Sequence, residues 1–166
     1  YEISCSLVGS EMCIRDSTVS CTYAIGRIEP DFFEKGKNGR FFRIPVYGNT
    51  KLALLLFTQE LAKRIQDKGI TINASDPGIV STNMITMQAW FDPLTDILFR
   101  PFIKTPAQGA ATAIHLALSN EAKDKNGCCY ANCKKRNVSE RIRHHTQQKQ
   151  LWDDTEILLR QKGIRF

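Results

Sequence analysis

Between Val46 and Gly78 the chain passes through an apolar-striped helix, a glycine stop, a short strand and a Pro-Gly turn, and this order constrains the fold more than any other feature. Apolar residues at 52, 53, 56, 57, 61 and 65 share one broad helical face, which predicts a helix over Val46 to Asp67 with a buried stripe. Lys68-Gly69 ends it, because glycine closes a helix without a Cβ clash. Ile70 to Ala74 then reads as a strand, and Asp76-Pro77-Gly78 as the turn after it. Helix, glycine stop, strand and turn in that order are the rhythm of a parallel α/β sheet.

The same reading extends in both directions. Thr18 to Ser20 is expected to be the end of a strand, followed through Asn38 by a long loop without helix or strand periodicity. Downstream, Met84 to Ile103 is crowded with aliphatic and aromatic residues broken by Pro93 and Pro101, which suits short helices with one apolar face. Thr105-Pro106 begins a helix that runs to about Ser119, with threonine as its cap and proline in its first turn. A last strand is expected over Gly127 to Ala131. A closing amphipathic helix is expected over Ser139 to Lys162, with Leu151, Trp152, Ile157 and Leu158 inward and Gly163 as its stop. Tyr1 to Ser17 fits none of these patterns and has no signal-peptide layout. It resembles translated sequencing-adapter DNA, so residues 1–17 are expected to be foreign to a domain that occupies 18–166.

Composition narrows the class. With 166 residues, 42% hydrophobic and 24% charged, the chain has the make-up of one globular domain. Its longest apolar run, Leu52 to Phe57, is far short of the roughly 18 residues a membrane-spanning helix needs. The net charge is +6, and Lys134 to Phe166 holds nine Lys or Arg against four Asp or Glu. Such a tail suits an anionic membrane surface or a solvated face; without interleaved aromatics it does not suggest a nucleic-acid partner. The six cysteines lack the spacing of a zinc site, so no metal is expected, and reduced buried thiols are favoured over disulfides. Asn73 and Asn137 head Asn-x-Ser sequons that are unspecific without a lumenal context.

Tyr47 and Lys51 stand one helical turn apart, on one face. On spacing alone the pair equally describes a surface tyrosine packed on a lysine stem. Its setting is more specific. Tyr47-Gly-Asn-Thr-Lys51-Leu-Ala-Leu-Leu-Leu-Phe-Thr-Gln-Glu-Leu-Ala resembles the catalytic helix of the short-chain dehydrogenase/reductase family, closely its retinol-dehydrogenase-like branch, and Asp76-Pro77-Gly78-Ile79-Val80-Ser81-Thr82 falls where that family places its Pro-Gly motif. The resemblance covers roughly Thr18 to Gly163.

It implies the C-terminal half of a Rossmann-like, doubly wound parallel sheet in an incomplete three-layer α/β/α arrangement. It further implies that Tyr47 exchanges a proton with a substrate hydroxyl or carbonyl while a nicotinamide carries the hydride. An ordinary phenol titrates near pKa 10, and a neighbouring ammonium, here Lys51, favours its ionised form. By resemblance Lys51 also contacts the nicotinamide ribose, and Ser20 bonds the substrate oxygen, although Ser20 equally reads as an ordinary strand-end hydroxyl. Pro77 and Gly78 would approach the nicotinamide, with the Ile79 backbone and the Thr82 hydroxyl holding its carboxamide. Residues 84–103 occupy the position of a substrate-capping lid, which implies a lipophilic substrate; a core or interface role would use the same residues.

No G-x-x-x-G-x-G phosphate turn occurs in the sequence. The implied cofactor is therefore NAD or NADP without a choice between them, and the chain is expected to be a fragment that is inactive and unstable alone. A truncated, non-catalytic relative acting as an interaction module is the alternative. A homo-oligomer is compatible with the sequence, and the resemblance suggests an endoplasmic reticulum or lipid-droplet membrane, otherwise the cytoplasm.

Overall fold

The computed structural model describes residues 13–14, 16–29, 32–33, 43–80 and 103–164. Among the described residues, six short strands run in chain order as β1 (Cys13–Ile14), β2 (Ser17–Thr18), β3 (Ile70–Thr71), β4 (Ala74–Asp76), β5 (Cys129–Ala131) and β6 (Lys134–Arg136). The helices are a 3-10 turn (Cys21–Ile25), α1 (Arg43–Arg64), α2 (Pro106–Leu118), α3 (Asn120–Lys123), α4 (Glu140–Arg143) and α5 (Gln148–Gln161).

The main sheet has the order β2-β4-β5-β6, with β2, β4 and β5 parallel and β6 antiparallel at the edge. A second, two-stranded parallel pair joins β1 to β3. Successive strand residues face opposite ways, and the two apolar clusters follow that alternation. Ala74 and Cys129, partners in register, pack with Leu52, Leu55, Leu56 and Leu151 beneath α1 and α5. Tyr130, the next residue on β5, packs instead with Leu116 of α2 and Ala122 of α3. The sheet thus lies between two helical layers, the α/β/α arrangement expected. All three residues of β4 are buried, as a central strand covered on both faces must be. The exposed Lys134-Lys135-Arg136 edge strand carries the charges that discourage further pairing.

Several boundaries differ from the sequence reading. Helix α1 starts three residues early, at Arg43, because Pro45 lies in the first turn, where backbone N–H groups have no intrahelical partner to lose. It ends at Arg64, and the chain turns through Gly69 at φ +64. The expected strand over Ile70 to Ala74 is divided, because the chain leaves β1 after Thr71 and joins β2 and β5 at Ala74. Side chains stand in for the ladder at the gap. The Ile72 N–H donates to Asn126 Oδ1 at 2.9 Å and the Asn73 N–H to Asp16 Oδ1 at 2.9 Å. Asn73 Nδ2 donates to Lys125 O, and its Oδ1 accepts from the Cys128 N–H. Asn73 is therefore a buried structural amide in the folded chain, closed to glycosylation.

The 3-10 turn falls within what read as a featureless loop, and β6 was not foreseen. Helix α2 confirms its signal fully: Thr105 Oγ1 accepts from the Gln108 N–H while Gln108 Oε1 accepts from the Thr105 N–H, a reciprocal capping box. The closing helix is two helices, interrupted where His144 leaves helical geometry at φ −114, ψ 42. Leu151 is buried, and Trp152 stacks on Phe57 with ring centroids 4.9 Å apart. Ile157 is not inward but 54% exposed, since six residues beyond Leu151 the helix has turned away from the α1 face.

Candidate active site

Parallel strands present their carboxyl ends along one edge of a sheet, and ligands of open α/β sheets bind just beyond that edge. Here the edge comprises Thr18 and the residues after it, Asp76 to Gly78, and Ala131 with Asn132. The apolar stripe of α1 sits over the sheet through Leu52, Leu55 and Leu56, each with 0% exposure. That packing leaves the first turns of the helix at the same edge. Lys51 ties them down: its ammonium donates to Thr18 O at 3.0 Å, joining the helix to the end of β2. The same ammonium lies 5.5 Å from the centroid of the Tyr47 ring. Tyr47 is 43% exposed, so its phenol is accessible.

Ser20 lies two residues beyond β2, not within it, and caps the 3-10 turn by accepting from the Thr22 N–H at 3.4 Å. The turn is pressed against α1 at two glycines. A Cβ on Gly26 would lie 2.5 Å from Gly48 O, and one on Gly48 would lie 2.9 Å from Thr22 O. Asn49 adds a bond, its Oδ1 accepting from the Arg27 N–H at 2.9 Å. The glycine after Tyr47 thus lets the segment starting at Ser20 lie directly along the helix that carries Tyr47 and Lys51.

Across the edge, Gly78 adopts φ +77, a conformation costly for residues with a Cβ. Asp76, 2% exposed, secures it from below: Oδ1 accepts from the Gly78 N–H at 2.9 Å, and Oδ2 accepts from Arg136 Nη1 at 3.1 Å. Pro77 O accepts from Lys104 Nζ. Ile79 is 51% exposed and turned to the outside of the fold. Thr82 lies outside the described residues, as does the expected lid except for Ile103, which is half-buried.

The other described tyrosines are poor candidates for proton transfer. Burial, followed by the neighbouring Cys129 thiol, pushes the Tyr23 phenol up to about 12. Burial first, then the Asp76 carboxylate, pushes the Cys129 thiol up to about 11. Tyr130 is likewise raised by burial. All three stay neutral packing groups near pH 7, which leaves Tyr47 as the accessible phenol. The thiols are less uniform than expected: Cys129 is buried, Cys128 and Cys133 are half-buried, and Cys21 is exposed; each is free.

The sequence placed Tyr47, Lys51, Ser20, Pro77 and Gly78 at the site, and the structure brings them to one edge. It did not identify Asp76 as the support of the turn, nor Arg136, Lys104 and Asn132. Only the carboxylate directly before Pro-Gly was a local signal; the others come from segments 28 to 60 residues away in pairing.

An exposed phenol thus stands beside an ammonium at one part of this edge, and the Pro77-Gly78 turn, with Gly78 at positive φ, ends the neighbouring strand. Residues 35–90 match the family model for short chain dehydrogenase. Over 147 residues the chain is 38% identical to retinol dehydrogenase 12 of Mus musculus, an alignment that covers 89% of this chain and 45% of that protein. The Homo sapiens retinol dehydrogenase 12 is 36% identical over the same share of each chain. A WW domain-containing oxidoreductase of Drosophila melanogaster is 33% identical over 72% of this chain and 29% of its own length. Among solved structures, an uncharacterized protein from Mycobacterium paratuberculosis matches with a TM-score of 0.63 over 90% of this chain and 51% of that one, at 22% identity, a likeness of fold. The chain spans about half the length of the curated retinol dehydrogenases it matches, or less. By these matches the chain belongs to the short-chain dehydrogenase family, on the side of its retinol dehydrogenase members.

Proposed function

We propose that this chain supplies the proton-transfer side of an oxidoreductase that interconverts a lipophilic alcohol, of retinoid, steroid or polyprenol type, and its carbonyl, with NAD or NADP. The observation that carries the reading is the placement of the Lys51 ammonium, bonded to Thr18 O at 3.0 Å and 5.5 Å from the ring of an exposed Tyr47. When bound, the nicotinamide supplies the hydride chemistry. Tyr47 gives or takes the proton of the reacting oxygen at its phenolic Oη, with the Lys51 ammonium beside its ring. Ser20 orients the substrate oxygen from the opposite segment. Gly78 allows the chain to approach the cofactor ring, while the Ile79 backbone and the Thr82 hydroxyl bind its carboxamide.

A lipophilic substrate favours a membrane-surface setting at the endoplasmic reticulum or lipid droplets, with the basic C-terminal segment toward anionic head groups. No described helix is itself long and apolar enough to cross a membrane. Protein expressed from the complete reading frame is expected to reduce NAD or NADP when given a long-chain or retinoid alcohol, read as the absorbance of reduced nicotinamide and matched by the carbonyl product. Failure to reduce either dinucleotide with retinoid, steroid and long-chain alcohols would overturn the reading.

A further inference from the structure

Lys104 connects three segments of the site. Its backbone N–H donates to Ile79 O at 2.8 Å, and Val80 and Lys104 form a parallel bridge, so its main chain runs beside the segment leaving the Pro-Gly turn. Its side chain returns to the turn itself: Nζ donates to Pro77 O at 2.9 Å and to Asn132 Oδ1 at 2.6 Å. Both partners are neutral oxygens, and hydrogen bonds from an ammonium are stronger than neutral ones. The lysine stem also borders Gly78, where a Cβ would meet Nζ at 3.0 Å and Cε at 3.2 Å.

Asn132 is itself fixed. It occupies the tip between β5 and β6 at φ 53, left-handed backbone that Asn adopts more readily than most residues. The next residue, Cys133, at φ 58, donates its N–H to Thr112 Oγ1 of α2 at 3.3 Å. The turn is therefore held from two sides, by Asp76 at the Gly78 N–H and by Lys104 at the Pro77 carbonyl. Reorienting the Pro77-Gly78 peptide breaks at least one of these bonds.

We propose that Lys104 is a positioning residue for the nicotinamide, fixing the Pro77-Gly78 turn through Pro77 O and anchoring it to the β5–β6 tip through Asn132. The inference rests on the oxidoreductase reading above. A turn released from this clamp still exists but no longer stands in one place. The cost then falls on the ligand that the turn touches and not on the alcohol bound beyond it.

The test is steady-state kinetics of protein from the complete reading frame, wild type against Lys104→Met and Asn132→Ala, with the dinucleotide that the wild type reduces. Lys104→Met is expected to raise the dinucleotide KM about tenfold while leaving the alcohol KM within about twofold, the split that marks lost binding of one ligand. Asn132→Ala is expected to raise the dinucleotide KM less. Adding it to Lys104→Met is expected to change little, since coupled residues are non-additive. A thermal midpoint within a few degrees of wild type separates positioning from general loss of structure, and Asn132→Ala carries the test if Lys104→Met does not fold. Dinucleotide KM values unchanged in an active protein would overturn this inference alone, as would KM values for both substrates rising together with a collapse of the midpoint. A wild type that reduces neither NAD nor NADP would overturn both readings.

Discussion

Lys51→Met is expected to lower kcat/KM by about a thousandfold, within the range of positioned acid–base catalysis, while the fold survives. Two effects of the change have to be separated. Structurally, methionine keeps most of the apolar stem and gives up one bond, that from Nζ to Thr18 O at 3.0 Å. Thr18 is exposed, so water replaces the donor, and the net cost is about 1 kcal/mol. Chemically, the change removes the positive charge that stands 5.5 Å from the Tyr47 ring. Nothing else among the described contacts of Tyr47 supplies a cation in its place. A small loss of stability with a large loss of turnover is thus the signature of this residue, measured by steady-state kinetics beside denaturant unfolding. Turnover within tenfold of wild type would show that the ammonium serves packing only.

Gly26→Ala is expected to destabilise the protein and to slow it at the same time. The backbone at Gly26, φ −65 and ψ 155, is open to any residue, so alanine gains about 0.4–1 kcal/mol by restricting the unfolded chain. The space is not open. The new methyl would stand 2.5 Å from Gly48 O and 2.8 Å from Leu52 Cβ, and Leu52 has 0% exposure. Neither neighbour can yield, because the one is helical backbone and the other is core. Overpacking of this kind costs about 1–3 kcal/mol, which exceeds the entropic gain. The 3-10 turn is the part able to move. Its first residue is capped by Ser20, so relief of the clash draws Ser20 away from the helix that carries Tyr47. A misplacement near 1 Å costs roughly a hundredfold in rate, and the variant is expected to show that loss together with a net destabilisation of about 1–2 kcal/mol in denaturant unfolding. Gly48→Ala tests the same contact from the other side with a milder result, since its clash at 2.9 Å is partly offset by about 1 kcal/mol of helix propensity. A Gly26→Ala protein with wild-type stability and turnover would mean that this close approach does not place Ser20.

What the sequence revealed follows how far each signal reaches along the chain. Helix α1 was legible because its stripe and Gly69 are local features, and α2 because Thr105 and Pro106 stand side by side at its start. Tyr47 and Lys51 could be read as a pair one turn apart on a helix, but only the resemblance of the stretch around them singled them out. The 3-10 turn was not legible, since its position depends on two glycines meeting across 22 residues of sequence. Strand β6 was hidden by its composition: Lys-Lys-Arg has no alternation to read, and it pairs only because β5 offers an edge. The supports of the Pro-Gly turn were equally invisible, because Asp76 meets Arg136 and Lys104 meets Asn132 through tertiary packing alone. Local periodicity fixes the helix that carries Tyr47 and Lys51, then, while the placing of the segments around it comes from contacts that periodicity does not encode.

The central claim is that the accessible phenol at the carboxyl edge of the sheet transfers the proton. Its most direct test is Tyr47→Phe in protein from the complete reading frame, with dinucleotide affinity measured by titrating the fluorescence of the reduced nicotinamide and turnover measured on the same samples. The account predicts a Kd within a few-fold of wild type, because the lost atom is one hydroxyl on an exposed ring, and turnover reduced by about a thousandfold or more. Turnover equal to wild type at unchanged affinity would contradict it.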